Sequence, residues 1–221
     1  MVEKVRMMTA FYPDVRLQPE DSGKLRGFFA DLDQWDGNLH NHTKEGKEIY
    51  RYPSVQYKVI QESPVVVAWG EGICSVSGHL MRQDKLIIGN QIFLDTEIQI
   101  QLSTALAGCC TEGREYRFLT PWLALNQDNY LQFHQILGEE KERLLSRILI
   151  GNILSMCKGL GVTVERELWV SHNLKAVLVS YKGKRMKGFL GSFRVNCHIP
   201  DLFGLGKGTA RGYGTVCEEA R

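Results

Sequence analysis

The N-terminal third of the chain alternates between stretches with strand and helix patterns of apolar residues. Residues 2–12 are rich in β-forming side chains and end at Pro13, which predicts a first strand. A helix is predicted after Pro19, because the apolar positions beyond it recur at three- and four-residue spacing and form one stripe. These positions are Leu25, Phe28, Phe29 and Leu32.

Two strands, a helix and a further strand are predicted in the remainder of the N-terminal half. Residues 49–61 and 65–69 have strand patterns, and the turn-forming residues 62–64 between them predict a hairpin. Residues 72–83 fit a short helix, and residues 86–102 fit a long strand or a second hairpin. The predicted order β-α-β-β-α-β is that of a ferredoxin-like domain.

The most regular helical pattern lies in the second half of the chain. Apolar residues from Leu144 to Cys157 form one stripe, with acidic residues before it and glycine after it, as expected of a core helix. Strands are predicted on both sides of this helix. They cover residues 115–125, 162–170, 176–181 and 187–197, with a turn at 182–184 and a last short strand at 215–217.

Residues 107–113 have no regular pattern and are predicted to separate two domains, 1–107 and 113–221. A chain of 221 residues is long enough for two domains of about 110 residues each. The predicted fold class is α+β, with two tandem ferredoxin-like (RRM-like) domains. The second would be a variant with a glycine-rich loop near its C-terminus.

Composition and cysteine spacing indicate a folded protein in a reducing compartment. Apolar residues make up 43% and charged residues 24% of the chain, which is ordinary for globular proteins. The six cysteines include no CxxC pair and no secretory signal precedes them, so free thiols and a cytoplasmic location are predicted. No stretch approaches the roughly 20 apolar residues of a membrane helix, so no membrane partner is expected.

Basic residues are concentrated near the C-terminus, although the formal net charge is only +2. Between residues 172 and 216 there are eight basic residues and one acid, Asp201. A local positive potential of this kind attracts phosphates, although a solvated basic face would carry the same charges. The eight residues are Lys175, Lys182, Lys184, Arg185, Lys187, Arg194, Lys207 and Arg211.

Five glycines lie among the eleven residues 204–214. This spacing predicts a backbone with positive φ angles whose N–H groups form an anion-binding concavity, with Lys207 and Arg211 at its rim. It fits neither the phosphate loop of nucleotide hydrolases nor a dinucleotide fingerprint, because no Lys-Ser/Thr pair follows Gly212 and only seven residues follow the loop. The residues alone do not say whether the phosphates belong to RNA, DNA or a nucleotide.

The glycine pattern resembles the C-terminal signature of the RAMP superfamily of CRISPR systems. Residues 188–204, which lead into the loop, and residues 50–58 are similar to the repeat-processing (Cas-six) endoribonucleases, specifically their b-type. The resemblance implies tandem ferredoxin-like domains that bind CRISPR repeat RNA and cut it once. Residues predicted to contact RNA are Lys182, Lys184, Arg185, Lys187, Arg194, Gly204, Gly206, Lys207, Arg211, Gly212 and Gly214.

RNA cleavage without a metal needs one group to activate the 2′-hydroxyl, one to protonate the leaving 5′-oxygen, and positive charge beside the phosphorane. Histidine titrates in the required range, and His40 and His42 lie in the region where the resemblance implies a catalytic histidine. The sequence does not decide between the two. Tyr50 is a candidate partner, and Lys44 and Lys47 are candidates for charge stabilisation.

Three functions remain open at the level of sequence. The first is a metal-independent endoribonuclease that leaves a 2′,3′-cyclic phosphate and a 5′-hydroxyl. The second is a RAMP subunit that binds processed RNA without cutting it, and the third is an unrelated α+β protein with a coincidental glycine loop. No cofactor or metal site is predicted, because no second His/Cys/Asp cluster has zinc-like spacing. Association with other CRISPR-associated proteins and homodimer formation are left open.

Overall fold

The computed structural model describes residues 2–33, 36–40 and 51–219, with His40 represented by its backbone. The fold is α+β and divides into two compact units. The N-terminal unit consists of Lys4–Ala105 with Thr209–Gly212, and the C-terminal unit of Met1–Glu3, Leu106–Gly208 and Tyr213–Arg221. Within the described part of the chain, no helix is long and apolar enough to span a membrane.

The N-terminal unit has a sheet in the order β2-β3-β1, all antiparallel, and a separate β4–β5 hairpin. Its elements are β1 (Val2–Phe11), a 3₁₀ turn (Pro19–Asp21), α1 (Ser22–Leu32), α2 (Gly37–His40), β2 (Val55–Ile60), β3 (Ser63–Trp69), α3 (Glu71–Met81), β4 (Lys85–Ile88) and β5 (Gln91–Leu94).

Most predicted elements of the N-terminal half are confirmed. The strand at 2–12 and the helices after Pro19 and at 72–83 are present. The region 86–102 forms the β4–β5 hairpin and then the start of β6. The turn predicted at 62–64 lies instead at Gln61 and Glu62, whose φ angles of 50° and 66° are the positive values that a two-residue type I′ hairpin turn requires.

The core of the N-terminal unit lies between one sheet face and the helices α1 and α3. Tyr57 of β2 stacks on Phe29 of α1, with ring centroids 5.3 Å apart. Val76 and Leu80 of α3 belong to the same buried cluster. Leu39 joins this cluster as well, so the short helix α2 is held by one apolar side chain.

The opposite face of this sheet contains a fully buried lysine, Lys58. Its ammonium donates to the Gln56 Oε1 atom at 2.9 Å. The tip of the glycine loop packs here, since a Cβ added to Gly212 would lie 3.1 Å from the Lys58 Cα atom. Burial lowers the pKa of Lys58 to about 7, because the charged form loses its hydration.

The C-terminal unit contains a sheet in the order β6-β8-β7, with β9 also paired to β6. Its elements are β6 (Gln99–Phe118, in this unit from Leu106 onward), α4 (Gln127–Gln135), α5 (Glu139–Gly159), β7 (Val170–Tyr181), β8 (Lys184–His198) and β9 (Val216–Glu218). A 3₁₀ turn (Thr209–Arg211) lies between β8 and β9 in sequence and belongs to the N-terminal unit.

Three predictions for the second half are corrected. Residues 107–113, predicted to be irregular, continue strand β6 with a shift of register between Cys109 and Arg114. Residues 162–169, predicted to form a strand, have no strand structure, and the strand predicted to reach residue 125 ends at Phe118. Helix α4 was not predicted, because its apolar stripe is short and only Phe133 is buried.

The β7–β8 hairpin is paired over the whole of Val170–Tyr181. Its predicted turn is confirmed: Lys182 and Gly183 have φ angles of 50° and 74°. The rings of Phe189 in β8 and Phe133 in α4 have centroids 5.6 Å apart, so odd-numbered β8 residues point towards the helices. We call this side the helix face, and the side with even-numbered β8 and odd-numbered β7 residues the open face.

Two helical glycines provide a matched test of the packing. A Cβ at Gly72 of α3 would lie 2.4 Å from the Ser54 carbonyl oxygen, whereas one at Gly151 of α5 would have nothing within 4 Å. We expect Gly72→Ala to lower the free energy of unfolding by about 1–3 kcal/mol and Gly151→Ala to raise it by about 0.5–1 kcal/mol. Urea denaturation measures both. Equal effects of the two substitutions would contradict the close approach at Gly72.

The buried lysine predicts a pH-dependent stability. The pKa of Lys58 is lower in the folded protein than in the unfolded chain, so its destabilising effect is complete below pH about 7 and fades as the pH rises towards 10.5. The unfolding free energy of the wild type should therefore rise relative to that of Lys58→Met by on the order of a few kcal/mol between these values. Urea titrations at several pH values measure this difference, and a difference independent of pH would show that Lys58 remains charged.

Candidate nucleic-acid interface and catalytic segment

The predicted catalytic residues lie at the edge of the described structure or beyond it. His40 is the last residue of α2. His42, Lys44, Lys47 and Tyr50 fall in 41–50, outside the described residues. Their catalytic roles therefore stay predictions, and what the structure describes is the pair of anchors on either side of the segment.

Asn38 connects the two ends of this segment. Its Oδ1 atom accepts hydrogen bonds from the Arg51 guanidinium at 2.6 Å and from the Ser54 hydroxyl at 3.0 Å. Its Nδ2 atom donates to the Ser75 hydroxyl of α3 at 3.0 Å. One amide thus ties the residues before and after 41–50 to α3, and the neighbouring Leu39 fixes α2 in the core. The described residues on either side of 41–50 are thus held by one another and by α3.

The glycine loop at 204–214 is tightly packed against the protein. Gly206 and Gly214 have φ angles of 83° and 65°. A Cβ at Gly206 would lie 2.6 Å from the Trp122 indole nitrogen, and one at Gly214 would lie 2.0 Å from the Leu205 carbonyl oxygen. Glycine is required at both positions by the backbone conformation and by the space available.

Five of the eleven N–H groups of the loop that could form an anion cradle donate hydrogen bonds within the protein. Within the loop, Leu205 donates to Gly214 O, Gly212 to Thr209 O, and Tyr213 to Gly208 O. Lys207 and Gly214 donate to the carbonyls of Leu123 and Pro121. The expected row of exposed donors is therefore wrong at these five positions, because the loop closes on itself and on its neighbours. A role of the glycines Gly204, Gly206, Gly212 and Gly214 in RNA binding stays a prediction.

Two of the predicted basic residues meet at one aromatic ring. The ammonium groups of Lys207 and Lys182 lie 5.5 Å and 5.9 Å from the centroid of the Tyr181 ring. Tyr213, from the glycine loop, packs edge-on against Tyr181 at 5.4 Å, and its hydroxyl donates to the Ser180 carbonyl. Gly208 lets them approach, since a Cβ there would lie 2.9 Å from Tyr181. We call these two lysines and two tyrosines the tyrosine–lysine cluster.

The other basic residues are distributed over separate places. Lys187 lies on the helix face, with its ammonium 5.0 Å from the Phe133 centroid, and Lys141 of α5 approaches the same ring at 4.9 Å. Arg194 lies on the open face, 6.0 Å from the Trp169 centroid. Arg211 is held beside the start of α1, where the Ser22 hydroxyl donates to its carbonyl at 2.7 Å.

Lys184 and Arg185 are exposed at the beginning of β8 and alternate between the two faces. The charges that are consecutive in sequence therefore do not form a single patch.

A second polar cluster lies where β6, β8 and β9 meet. Arg114 and Glu218 form an ion pair at 2.5 Å. Burial, and then the positive charge of Arg114, lower the pKa of the nearby His198, so its imidazole is mainly neutral at neutral pH. The six cysteines are free thiols, as predicted. No group of three or more potential metal ligands is found among the residues that the structure describes.

The sequence did not reveal which aromatic rings the lysines Lys182, Lys207 and Lys141 contact. Tyr181 and Tyr213 are 32 positions apart and meet only because the hairpin end and the glycine loop are adjacent. Lys141 lies outside the basic run, and its contact with Phe133 is likewise made only by the tertiary fold, so the sequence did not single it out. The predicted turn at 182–184 was the one sequence feature that pointed to the tyrosine–lysine cluster, because it put Tyr181 and Lys182 together at the end of a hairpin.

Comparisons with known proteins agree over nearly the whole chain. The family models of the Cas6b N-terminal and C-terminal domains match residues 3–105 and 108–219. A crystal structure of Cas6b is 37% identical, with a TM-score of 0.94 and coverage of 98% of this chain and 100% of that chain. A crystal structure of the CRISPR RNA processing endoribonuclease Cas6b is 34% identical, with a TM-score of 0.81 and the same coverage.

A sequence relative extends the comparison to an archaeal protein. The uncharacterized protein MJ0978 of Methanocaldococcus jannaschii is 43% identical over 103 residues, which are 46% of this chain and 70% of that protein. The two family models together leave only a few residues unmatched, at the ends and at the change from one domain to the other. The chain therefore belongs to the Cas6b family.

Proposed function

We propose that this chain is an endoribonuclease that cleaves CRISPR repeat RNA. Support comes from the match of both Cas6b domains and from the 34% identity to a CRISPR RNA processing endoribonuclease over 98% of the chain. The observation that carries this proposal is the sequence similarity of both domains to Cas6b, because a shared fold alone would not indicate a shared activity.

The proposed reaction is a metal-independent attack of the 2′-hydroxyl on the adjacent phosphorus. The attack displaces the 5′-oxygen of the next nucleotide and leaves a 2′,3′-cyclic phosphate and a 5′-hydroxyl. His40 or His42 removes the proton from the nucleophile or delivers one to the leaving oxygen, with Tyr50 as partner. Lys44 and Lys47 stabilise the negative charge of the phosphorane. The imidazole pKa suits both proton transfers near neutral pH.

RNA is proposed to bind through a subset of the basic residues of the C-terminal unit. Repeat RNA offers phosphates, 2′-hydroxyls and unpaired bases, and phosphate contacts make affinity depend on salt. Lys182, Lys184 and Lys207 are exposed, which supports a role in such contacts. Association with other CRISPR-associated proteins, homodimer formation and a cytoplasmic location stay predictions.

Cleavage of a repeat transcript in excess EDTA tests the reaction. We expect the wild type to cut once per repeat and mass spectrometry to find a 2′,3′-cyclic phosphate. His40→Ala combined with His42→Ala should lower the single-turnover rate by about 10²–10⁴-fold with RNA affinity retained, because proton transfer is lost. His134→Ala, an exposed histidine of α4, is the control.

The possible results separate the competing functions. A strict need for divalent metal would overturn the mechanism. Tight binding without cleavage by the wild type would instead support a non-catalytic RAMP subunit.

Asn38 provides a test of the anchored segment. Asn38→Ala removes the acceptor of Arg51 and Ser54, so the residues on either side of 41–50 lose their common hydrogen-bond partner and the cleavage rate should fall by about 10–100-fold. Asn38→Asp keeps the accepting oxygen and should restore most of the rate. Single-turnover kinetics and binding measured side by side separate the rate from affinity. The control is Asn90→Ala in the exposed β4–β5 turn. An unchanged rate in Asn38→Ala would show that the anchor does not matter to the reaction.

A further inference from the structure

The open face of the β7–β8 hairpin carries exposed cations around a half-buried apolar centre. Lys175, Lys184 and Arg194 are exposed on this face. Between them, Val177, Val179, Met186 and Leu190 are only partly buried. The pairs Lys175–Leu190, Val179–Met186 and Tyr181–Lys184 lie directly opposite each other, so the register places all of these side chains on one side of the sheet.

The tyrosine–lysine cluster continues this face at the hairpin end. Tyr181 is an open-face residue, and the ring holds Lys182 and Lys207 close to itself. An ammonium resting on an aromatic ring has fewer conformations to lose when a phosphate binds. The edge-on contact of Tyr213 and its hydrogen bond to Ser180 restrain the ring in turn.

These cations are available to a ligand. Among the described residues, the ion pairs involve other side chains, and no carboxylate lies within 4.0 Å of Lys175, Lys182, Lys184, Arg194 or Lys207. Asp201 is the one acid between residues 172 and 216. Cations without ion-pair partners attract the phosphates of a nucleic acid, and the apolar surface between them can contact its bases.

The helix face of the same hairpin differs. Lys187 is half-buried with its ammonium against Phe133 of α4. Arg185, two residues earlier in β8, points to the same side because side chains alternate along a strand. The α4 and α5 helices cover part of the sheet here, since Phe133 packs on Phe189 and the His172 ring nitrogen lies 3.1 Å from the Glu142 carbonyl oxygen of α5. Towards the hairpin end, Leu178 is exposed on this side. Arg185 is the one exposed lysine or arginine among the β7–β8 residues of this face, so a nucleic-acid strand would find no row of cations to follow here.

We propose that an RNA strand crosses the open face, with its phosphates on Lys175, Lys184 and Arg194 and on the lysines positioned by Tyr181. Arg185 and Lys187 are not part of this binding surface, although they belong to the same basic run. The assignment rests on the proposed function, and it deepens that function by selecting one of two similarly charged faces. Tyr181 is a positioning residue, because it acts through Lys182 and Lys207.

Paired substitutions with equal charge change distinguish the faces. The probe is a fluorescein-labelled, 2′-O-methylated repeat RNA, which lacks the attacking hydroxyl and remains intact during titration. Lys175→Ala with Lys184→Ala should weaken binding about tenfold and reduce the slope of log K against log salt by about 1.4, since each phosphate contact on a single strand contributes about 0.7. Arg185→Ala with Lys187→Ala should leave the slope unchanged.

Two exposed or half-exposed lysines of α5 provide the matched control. Lys141→Ala with Lys158→Ala removes the same charge from the helical side of the unit, so it measures the effect of net charge alone. The proposal is overturned if both hairpin pairs lower the slope equally, or if the open-face pair behaves like this control.

A second comparison tests the ring. Tyr181→Phe keeps the aromatic surface and should bind like the wild type, whereas Tyr181→Leu should lower both affinity and salt slope, because Lys182 and Lys207 lose their support. A purely structural role would reduce the fraction of active protein without changing the slope. An unchanged slope in Tyr181→Leu would remove Tyr181 from the proposal.

Different results would contradict the binding surface and the proposed function. A wild-type chain that does not bind the repeat RNA, or binds it without cutting the unmodified form, contradicts the function. A wild type that binds and cuts, but whose salt slope does not respond to the open-face pair, contradicts only the binding surface.

Discussion

The antiparallel register of the β7–β8 hairpin is the constraint on which the C-terminal unit depends. Pairing over the whole of Val170–Tyr181 makes every second residue of β8 point towards α4 and α5. Phe189 and Phe193 are thereby buried beneath the helices. The same alternation sends Lys184 and Arg194 to the other side. A shift by one residue would bury the cations and expose the aromatic rings, so packing and charge distribution are set together.

The glycine loop owes its shape to close packing within the protein. Gly206 lies against Trp122, and Gly214 against the backbone of Leu205, at distances that exclude any side chain. The loop closes with its own hydrogen bonds and so presents Lys207 and Tyr213 at defined positions beside Tyr181. In the proposed binding surface, the loop therefore contributes through side chains held by a rigid backbone more than through free N–H groups.

A half-buried and a fully buried polar group organise the N-terminal unit in a different way. The Asn38 amide has three partners and thereby joins the residues that precede and follow, in sequence, the segment with His42 and Tyr50. Lys58 lies fully buried on the other face of the sheet, beneath the glycine-loop tip at Gly212. Such groups cost free energy unless they are hydrogen-bonded, and Asn38 and Lys58 both have partners. The Asn38 hydrogen bonds thus involve residues that flank, in sequence, the segment predicted to hold the chemistry.

Local patterns in the sequence determined the strand at 2–12, the helix around Leu144–Cys157, the Lys182–Gly183 turn and the α+β class, because periodicity and turn chemistry depend on near neighbours. They also singled out the glycine loop and the basic run. The tertiary structure decided that residues 107–113 continue a strand, that five of the loop's N–H groups are occupied, and that the basic run divides between two faces. These outcomes depend on partners distant in sequence, such as Tyr213 for Tyr181 and Phe133 for Lys187, which no local pattern specifies.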